Sequence, residues 1–477
     1  RAAVIAAAGG GPVTMSSGQA VTPDASGAST AAAPGATVPT GTTTGGTAGG
    51  GPTVGGTGPG TTTGGGTATT GGGTTATTAP TTGTTTSSAP ALGGTRSSAA
   101  PQAAEKSCTK QGSTIVFGQV GTFSGIIGAA IGAGQPGLKV WASATNAAGG
   151  IACHPVQVVS IDDGGDAGKA QSAVQQMVEQ DHAVAINALV PVTLNGVEPY
   201  VDAHHIPVVG GDLVAKQWNT DQYLFPQGPS LEPVLYTFMR YAAMNGGTKY
   251  SFLYCIEATP CTAAQDLITK QGLGAKAGLQ SVGDQPISLA GSNFTQQCQT
   301  AKSKGADVLI VGAGATALTA IARDCSNQGY HPRIITESLA AVTSLQSNPQ
   351  LDGLAIGNTQ FPWTDALTPA QQAFAAAMAK YAPSVDNSGS AAAAWTSGEL
   401  LKKAILNLGQ AAYGDITSAD VLKGLGMVKN ETLGGLAPGK ITFNPGAPAS
   451  LNRCGFVSVI ANGKWTDPLH GQQICEP

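Results

Sequence analysis

Along most of the chain, short apolar runs alternate with longer stretches in which apolar residues recur every three or four positions. Ile115 to Val120 predicts a strand, and Gly137 to Ala147 has the spacing of an amphipathic helix. Val156 to Ile161 and Ala170 to Gln180 repeat this order, and two further short apolar strands follow. Because parallel strands are joined by helical crossovers, the order predicts a parallel sheet with helices on both faces.

The same rhythm then begins again. Tyr250 to Tyr254, Val308 to Val311 and Arg333 to Thr336 predict strands, with helical segments between them. Two successive runs of one kind indicate two Rossmann-like α/β lobes. We expect crossing segments between the lobes to form a three-strand hinge, and place them near 224–229, 357–362 and 434–441.

The end of the chain has a different pattern. Ile441 to Phe443, Phe456 to Ile460 and Lys464-Trp465 predict a short antiparallel set. Asn462-Gly463 is typical of a two-residue hairpin turn.

Composition separates a leading segment from the folded part. Gly41 to Pro90 consists mostly of Gly and Thr and has almost no large apolar side chain to bury. Burial there cannot offset the entropy lost on ordering, so residues 1–107 are predicted to be a disordered, low-complexity tether. For the folded part we predict lobe I from 108–226 with 362–434, and lobe II from 227–361 with 435–477.

Charge and hydropathy exclude some classes of function. The formal net charge is −4 and Lys and Arg form no dense run, which argues against a nucleic-acid surface. No apolar stretch is long enough for a transmembrane helix. Arg1 to Ala8 is typical of the end of a signal peptide's apolar region, so we expect an exported protein in the periplasm, the cell envelope or at the cell surface.

The eight cysteines support export. They form no C-x-x-C motif, so a zinc or thioredoxin-type site is not indicated, and an even number suits disulfides in an oxidising compartment. Buried free thiols in a cytosolic protein are the alternative. Eight cysteines allow about 105 connectivities. From their places beside the predicted elements we choose Cys108–Cys153, Cys255–Cys261, Cys298–Cys325 and Cys454–Cys475.

Motifs of common enzyme classes are missing from the sequence. It contains no H-E-x-x-H, no G-x-S-x-G and no phosphate-binding P-loop. Gly132-Ala-Gly134-Gln-Pro-Gly137 resembles a dinucleotide fingerprint, but it does not directly follow a strand and Pro136 interrupts it. We therefore expect no catalysis, no cofactor and no metal, and keep a nucleotide-dependent oxidoreductase as an alternative.

Several segments, in order, resemble the type I periplasmic binding proteins of the Leu/Ile/Val-binding family, the substrate-binding proteins of branched-chain amino acid ABC transporters. Phe117 to Gly125 resembles the first strand and binding loop, and Asn146 to Ile151 resembles the N-x-x-G-G-I segment. Val156 to Asp166 is similar to the strand with an acidic end, and Ile206-Pro207 to the Ile-Pro strand. The resemblance covers about 113–465 and implies the type I periplasmic-binding-protein fold.

The resemblance also implies a ligand site between the lobes, at loops that follow the strands. The positions that match are Ser124, Thr193, Gly211, Asp212, Glu257, Thr259, Ala315 and Glu337. Glu337 matches the acid that faces the ligand's ammonium group in amino-acid-binding members. The Ser-rich stretch that grips the ligand carboxylate in those members reads Val190-Pro-Val-Thr-Leu194 here, which argues against a standard amino acid.

The function implied is capture of a small polar or amphipathic molecule, an amino acid or a related amide or amine. A monomer would deliver it to the membrane permease of an ABC importer. An extracellular sensor that uses the same two lobes and docks to a receptor is the alternative.

Overall fold

The structure is a computed structural model that describes Cys108, residues 110–339 and residues 341–477. The tether predicted for residues 1–107 lies outside the described residues.

The first lobe is built on five parallel strands in the order β2–β1–β3–β4–β5. The strands are β1 (Ile115–Gly121), β2 (Val156–Asp162), β3 (Ala185–Leu189), β4 (Val208–Gly211) and β5 (Leu224–Phe225). The helices between them are α1 (Gly125–Ile131), α2 (Gly134–Ala147), α3 (Ala167–Glu179) and α4 (Leu194–His204). Asp166 caps α3 by accepting a hydrogen bond from the Lys169 backbone N–H.

The second lobe has a mixed sheet in the order β12–β11–β10–β9–β8–β6–β7, with β13 paired to β11. Its parallel strands are β6 (Lys249–Cys255), β7 (Gln280–Ile287), β8 (Val308–Gly312), β9 (Arg333–Glu337) and β10 (Ala355–Asn358). The antiparallel edge consists of β11 (Cys454–Ala461), β12 (Lys464–Thr466) and β13 (Ile474–Cys475). The helices are α5 (Leu231–Met244), α6 (Thr259–Gln265), α7 (Leu273–Ala277), α8 (Thr295–Ser303) and α9 (Ala315–Ser326).

Three further helices, α10 (Pro369–Tyr381), α11 (Gly389–Leu406) and α12 (Ser418–Gly426), follow β10 in the sequence. Helix α11 returns to the first lobe and packs on α2 and β4. Gly398 allows this close approach, since a Cβ there would collide with the Trp141 ring, whose Nε1 donates to Glu399 at 2.9 Å. Trp395 is buried and packs edge-on against Phe374 at 5.6 Å between ring centroids, as a core residue.

Three segments cross between the lobes. Gly228 lies against the carbonyl of Thr359, and the Phe361 N–H donates to the Leu436 carbonyl at 2.9 Å. The predicted architecture, two α/β lobes with parallel sheets joined by three crossing segments, is confirmed. The residue limits of the two lobes stay a prediction.

The structure differs from the sequence prediction in three elements. Helix α1 occupies Gly125–Ile131, where no helix was expected, and β7 extends to Ile287 although the apolar pattern predicts a strand only from Gln280 to Val282. Ile441–Phe443 does not join the terminal antiparallel set; Ile441 forms an isolated bridge with Glu431 instead. Pro445 and the turn that follows leave this segment too short to extend a ladder, and β13 takes the place beside β11.

The eight cysteines form four disulfides, in the pairings chosen from the sequence. They are Cys108–Cys153, Cys255–Cys261, Cys298–Cys325 and Cys454–Cys475. Each joins segments that the fold already places side by side, as for Cys454 and Cys475, which are register partners of β11 and β13.

Candidate functional site

A cavity of about 140 Å³ lies where loops at the carboxyl ends of the strands of both sheets meet. Its wall on the first lobe is α1, through Ile127, Ala130 and Ile131, with Pro191 and Val214 beside it. These three α1 residues have the i, i+3, i+4 spacing of one helix face. The short helix therefore presents an apolar face to the cavity.

The second lobe supplies the larger wall. Helix α5 contributes Leu235 and Phe238, and the strands contribute Phe252 of β6 and Ile310 of β8. The disulfide Cys255–Cys261 lines the cavity as well, with neighbouring residues of α6. The wall is hydrocarbon and sulfur over most of its extent.

Polar side chains are scarce among the residues that line the cavity. They are Thr336 and Glu337 at the end of β9. The Thr336 hydroxyl donates to the Val311 carbonyl at 2.7 Å, so it is already engaged within the protein. The Glu337 carboxylate accepts the Leu339 N–H at 2.7 Å. Among the described residues that line the cavity there is no Lys, Arg or His, and Glu337 is the one with an acidic side chain.

The two lobes touch beside the cavity through a small apolar cluster. Ile131 of α1, Leu339 after β9 and Ala393 of α11 pack together and are buried, with Ile127 and Val214 at the edge. We call Ile131, Leu339 and Ala393 the lobe contact. It joins one wall of the cavity to the other.

Asp212 holds two cavity loops in place. Its carboxylate accepts hydrogen bonds from the Val190 N–H at 2.7 Å and the Val214 N–H at 3.0 Å, so it fixes the loops that carry Pro191 and Val214. Burial raises the pKa of Asp212 to about 6, although these backbone hydrogen bonds oppose the rise. Its side chain faces the protein interior, not the cavity.

A second network, around the buried Asp163, fixes the neighbouring loops. Thr122 and Thr193 donate their hydroxyls to the two oxygens of Asp163, at 2.8 and 2.6 Å. Next to it, Ser124 is the exposed N-cap residue of α1. Burial opposes ionisation of Asp162, but hydrogen bonds from Ser124 and from backbone N–H groups outweigh burial and lower the Asp162 pKa.

On the second lobe, Glu257 bridges two loops. It accepts the Ser288 hydroxyl at 2.5 Å and the Leu289 N–H at 3.0 Å. Burial acts to raise the Glu257 pKa, but these hydrogen bonds prevail and lower it. Because Leu289 lines the cavity, Glu257 supports the wall from outside.

Of the eight residues predicted to bind ligand, Glu337 lines the cavity. Thr259 and Ala315 are the first residues of α6 and α9, beside lining residues of the same loops. Gly211 exchanges two backbone hydrogen bonds with the Gln227 side chain in a crossing segment. The remaining four, described above, lie in or support the loops around the cavity. Ligand contact by the eight stays a prediction.

The sequence pattern did not predict the apolar lining of the cavity. Phe238 and Phe252 follow the same periodicity as ordinary core residues, so the pattern alone does not separate them. For α1 a signal existed, since the run Gly-Ile-Ile-Gly-Ala-Ala-Ile directly follows the first binding loop.

Two other features of the structure concern alternative kinds of site, one for a nucleotide and one for a metal ion. Gly132 ends α1 and Gly134 begins α2, so the dinucleotide-like pattern spans a helix–helix junction and does not follow a strand. Away from the cavity, carboxylate oxygens of Glu198, Asp202 and Asp221 lie within 4.8 Å of one another. Burial and the neighbouring acids raise the Asp202 pKa to about 7.

No helix in the described part of the chain is long and apolar enough to cross a membrane.

A profile of the family described as periplasmic binding protein matches residues 114–464. The chain therefore belongs to the periplasmic binding protein family, and the resemblance found in the sequence is confirmed. No curated protein matches the sequence.

Solved structures with the same fold include three with different ligands or roles. A branched-chain amino acid ABC transporter protein from Thermus thermophilus with bound valine has a TM-score of 0.66 at 13% identity, covering 76% of this chain and 97% of its own. A fatty acid ABC transporter substrate-binding protein from Thermomonospora curvata has a TM-score of 0.61 at 16% identity, covering 77% and 97%. A solute-binding protein from R. palustris in complex with benzoate has a TM-score of 0.60 at 12% identity, covering 76% and 98%. At these identities the likeness shows the fold alone.

Proposed function

We propose that this chain is the extracytoplasmic solute-binding protein of an ABC importer and that it captures a small amphipathic molecule in the cavity between its lobes. The observation that carries the proposal is the cavity itself, which has walls from both lobes at the carboxyl ends of their strands. A molecule bound there contacts both lobes at once. The protein acts by binding and release, without catalysis.

Closure of the lobes is the mechanism. A ligand that touches α1 on one side and α5 and β6 on the other binds the closed arrangement better than an open one, so it shifts the population towards closure. The lobe contact of Ile131, Leu339 and Ala393 adds apolar burial to the closed state. Closure also changes the surface that a permease would meet.

Within the cavity, Glu337 is the candidate anchor for the polar end of the ligand. A carboxylate beside an apolar wall favours a cation or a hydrogen-bond donor, because a charge facing hydrocarbon loses hydration. Among the ligands considered from the sequence, this supports an amine or an amide. The apolar wall supports an amphipathic molecule over a fully polar one.

The test uses a matched pair of variants on α1. Ala130 lines the cavity, whereas Ala129 lies on the exposed side of the same helix. Small molecules released from the denatured wild type are identified by mass spectrometry, and their affinity is then measured by titration calorimetry. Ala130→Trp fills the cavity and should weaken binding at least tenfold, while Ala129→Trp should leave it unchanged. Equal affinity in both variants, with both folded by circular dichroism, would remove the ligand from this cavity and overturn the proposal.

A further inference from the structure

The shape and chemistry of the cavity restrict its ligand further than its position does. We infer that the ligand fills the cavity with a hydrocarbon group about the size of a benzene ring and carries a cationic or neutral polar group, with no carboxylate in the site. This inference rests on the proposed function and names the class of ligand for the same site.

The lining sets the first restriction. Ile127, Val214, Leu235, Phe238 and Phe252 present only carbon to the cavity. A polar group placed against them gives up its bonds to water and gains none, a loss of about ten- to hundredfold in affinity per group. A hydrocarbon group gains affinity there.

Volume sets the second restriction. The cavity measures about 140 Å³. A protein cavity of roughly 150 Å³ with aliphatic and aromatic walls stays dry and holds benzene. A branched chain or a ring of about six carbons therefore matches this space.

Charge sets the third restriction. Within the part of the lining that the structure describes, Glu337 is the acidic side chain, and no Lys, Arg or His is present to pair with an anion. The polar groups next to the cavity on the first lobe are turned into the protein, since Thr193 donates to Asp163 and Asp212 accepts from Val190 and Val214. A ligand carboxylate would lie near a second acidic group, and none of the described lining residues is a cation that could pair with it.

The start of helix α9 favours an oxygen acceptor in the ligand, in contrast to the acidic Glu337. Helix α9 begins beside the cavity at Gly314, and no side chain caps its first turn, so its backbone N–H groups favour an oxygen acceptor. A neutral amide or alcohol oxygen can accept these bonds without adding a negative charge near Glu337. The helix end is thus compatible with a neutral head group, and the comparison of head groups below tests it directly.

The first experiment keeps the hydrocarbon constant and changes the head group. Isopentylamine, isopentanol, 4-methylpentanoate and leucine are titrated into ligand-free protein by calorimetry. We expect the amine and the alcohol to bind at least tenfold more tightly than 4-methylpentanoate or leucine. Binding of either carboxylate as tight as that of the amine would overturn the inference.

The second experiment keeps the head group and lengthens the chain from propylamine to hexylamine. Each added methylene should lower Kd about fourfold until the cavity is full, as expected for burial in hydrocarbon. Ile127→Asn, in the cavity wall, should weaken the dependence of Kd on chain length. Ile126→Asn, at the exposed neighbouring position, should leave that dependence unchanged. Circular dichroism of the Ile127→Asn protein controls for loss of fold. A Kd that does not change with chain length in the wild type contradicts the inference.

The two proposals fail in different ways. If Ala130→Trp abolishes binding but carboxylates or fully polar molecules are preferred, the binding function stands and the ligand class is wrong. If the released natural molecule binds Ala130→Trp as well as wild type, the cavity is not the binding site and both proposals fail.

Discussion

Asp212→Asn removes a buried charge behind the cavity while keeping the shape of the side chain. Burial raises the pKa of Asp212 to about 6 from an ordinary value of 3.8. The folded chain therefore holds a proton more tightly than the unfolded chain between these two values. As the pH rises through this window, the wild type loses stability, and the difference of about two pKa units corresponds to about 3 kcal/mol.

The Asp212→Asn variant has no carboxyl group to titrate at this position, but it loses stability for a different reason. The carboxylate oxygens accept from the Val190 and Val214 N–H groups, and an amide offers one oxygen and one NH₂ in their place. One buried donor then faces another donor, which destabilises by about 1–3 kcal/mol at every pH. The variant should be the less stable protein near pH 4, and the two proteins should become nearly equal above about pH 6.

The assay is denaturant unfolding followed by tryptophan fluorescence at several values between about pH 4 and pH 7. Asp162→Asn is the control, because the hydrogen bonds to Asp162 outweigh burial and lower its pKa below 3.8, so its stabilising contribution is present throughout this range and is lost only at lower pH. The difference between wild type and variant should therefore change across this range for Asp212 and stay nearly constant for Asp162. If wild type and Asp212→Asn show parallel profiles, Asp212 is not a buried charge and its role as a loop support is wrong.

Two further predictions concern the cavity. Glu337→Gln should weaken isopentylamine binding by about 1.5–3 kcal/mol, roughly ten- to hundredfold in Kd, and should leave isopentanol binding nearly unchanged by calorimetry; equal losses for both probes would show that Glu337 acts only on the fold. Replacing Cys255 and Cys261 together by Ala should lower stability by about 2 kcal/mol and weaken binding of both probes, since this disulfide lines the cavity. The same double replacement at Cys454 and Cys475 should lower stability while preserving affinity, and a loss of affinity there would contradict this assignment.

The architecture was predictable because its signals are local. Each parallel strand is a short apolar run followed by an amphipathic helix, and the Asn462-Gly463 turn defines its hairpin without reference to the rest of the chain. The pairing of Cys108 with Cys153 could be chosen for a related reason, since these residues precede neighbouring strands and lie side by side once the sheet order is known.

The cavity was less predictable, for two physical reasons. Asp212 and Thr193 lie in the expected loops, but a polar side chain after a strand can face a ligand or satisfy a backbone N–H, and the sequence pattern is the same in both cases. Phe252 belongs both to the cavity wall and to the core of the second sheet. An apolar side chain can pack against protein or line a cavity, depending on how the two lobes are arranged. That arrangement is set by residues far apart in the sequence, so a local pattern does not reveal it.

The return of α11 to the first lobe affects the order in which the protein can fold. Trp141 and β4 receive their packing partner only when residues near 389–406 have been made, about 180 residues after β4. Until then the nascent first sheet exposes apolar surface that only a distant segment can cover. Contacts of such sequence separation slow folding and prolong exposure to aggregation. If the chain crosses a membrane during export, the first lobe can become complete only after most of the chain, up to the end of α11, has emerged.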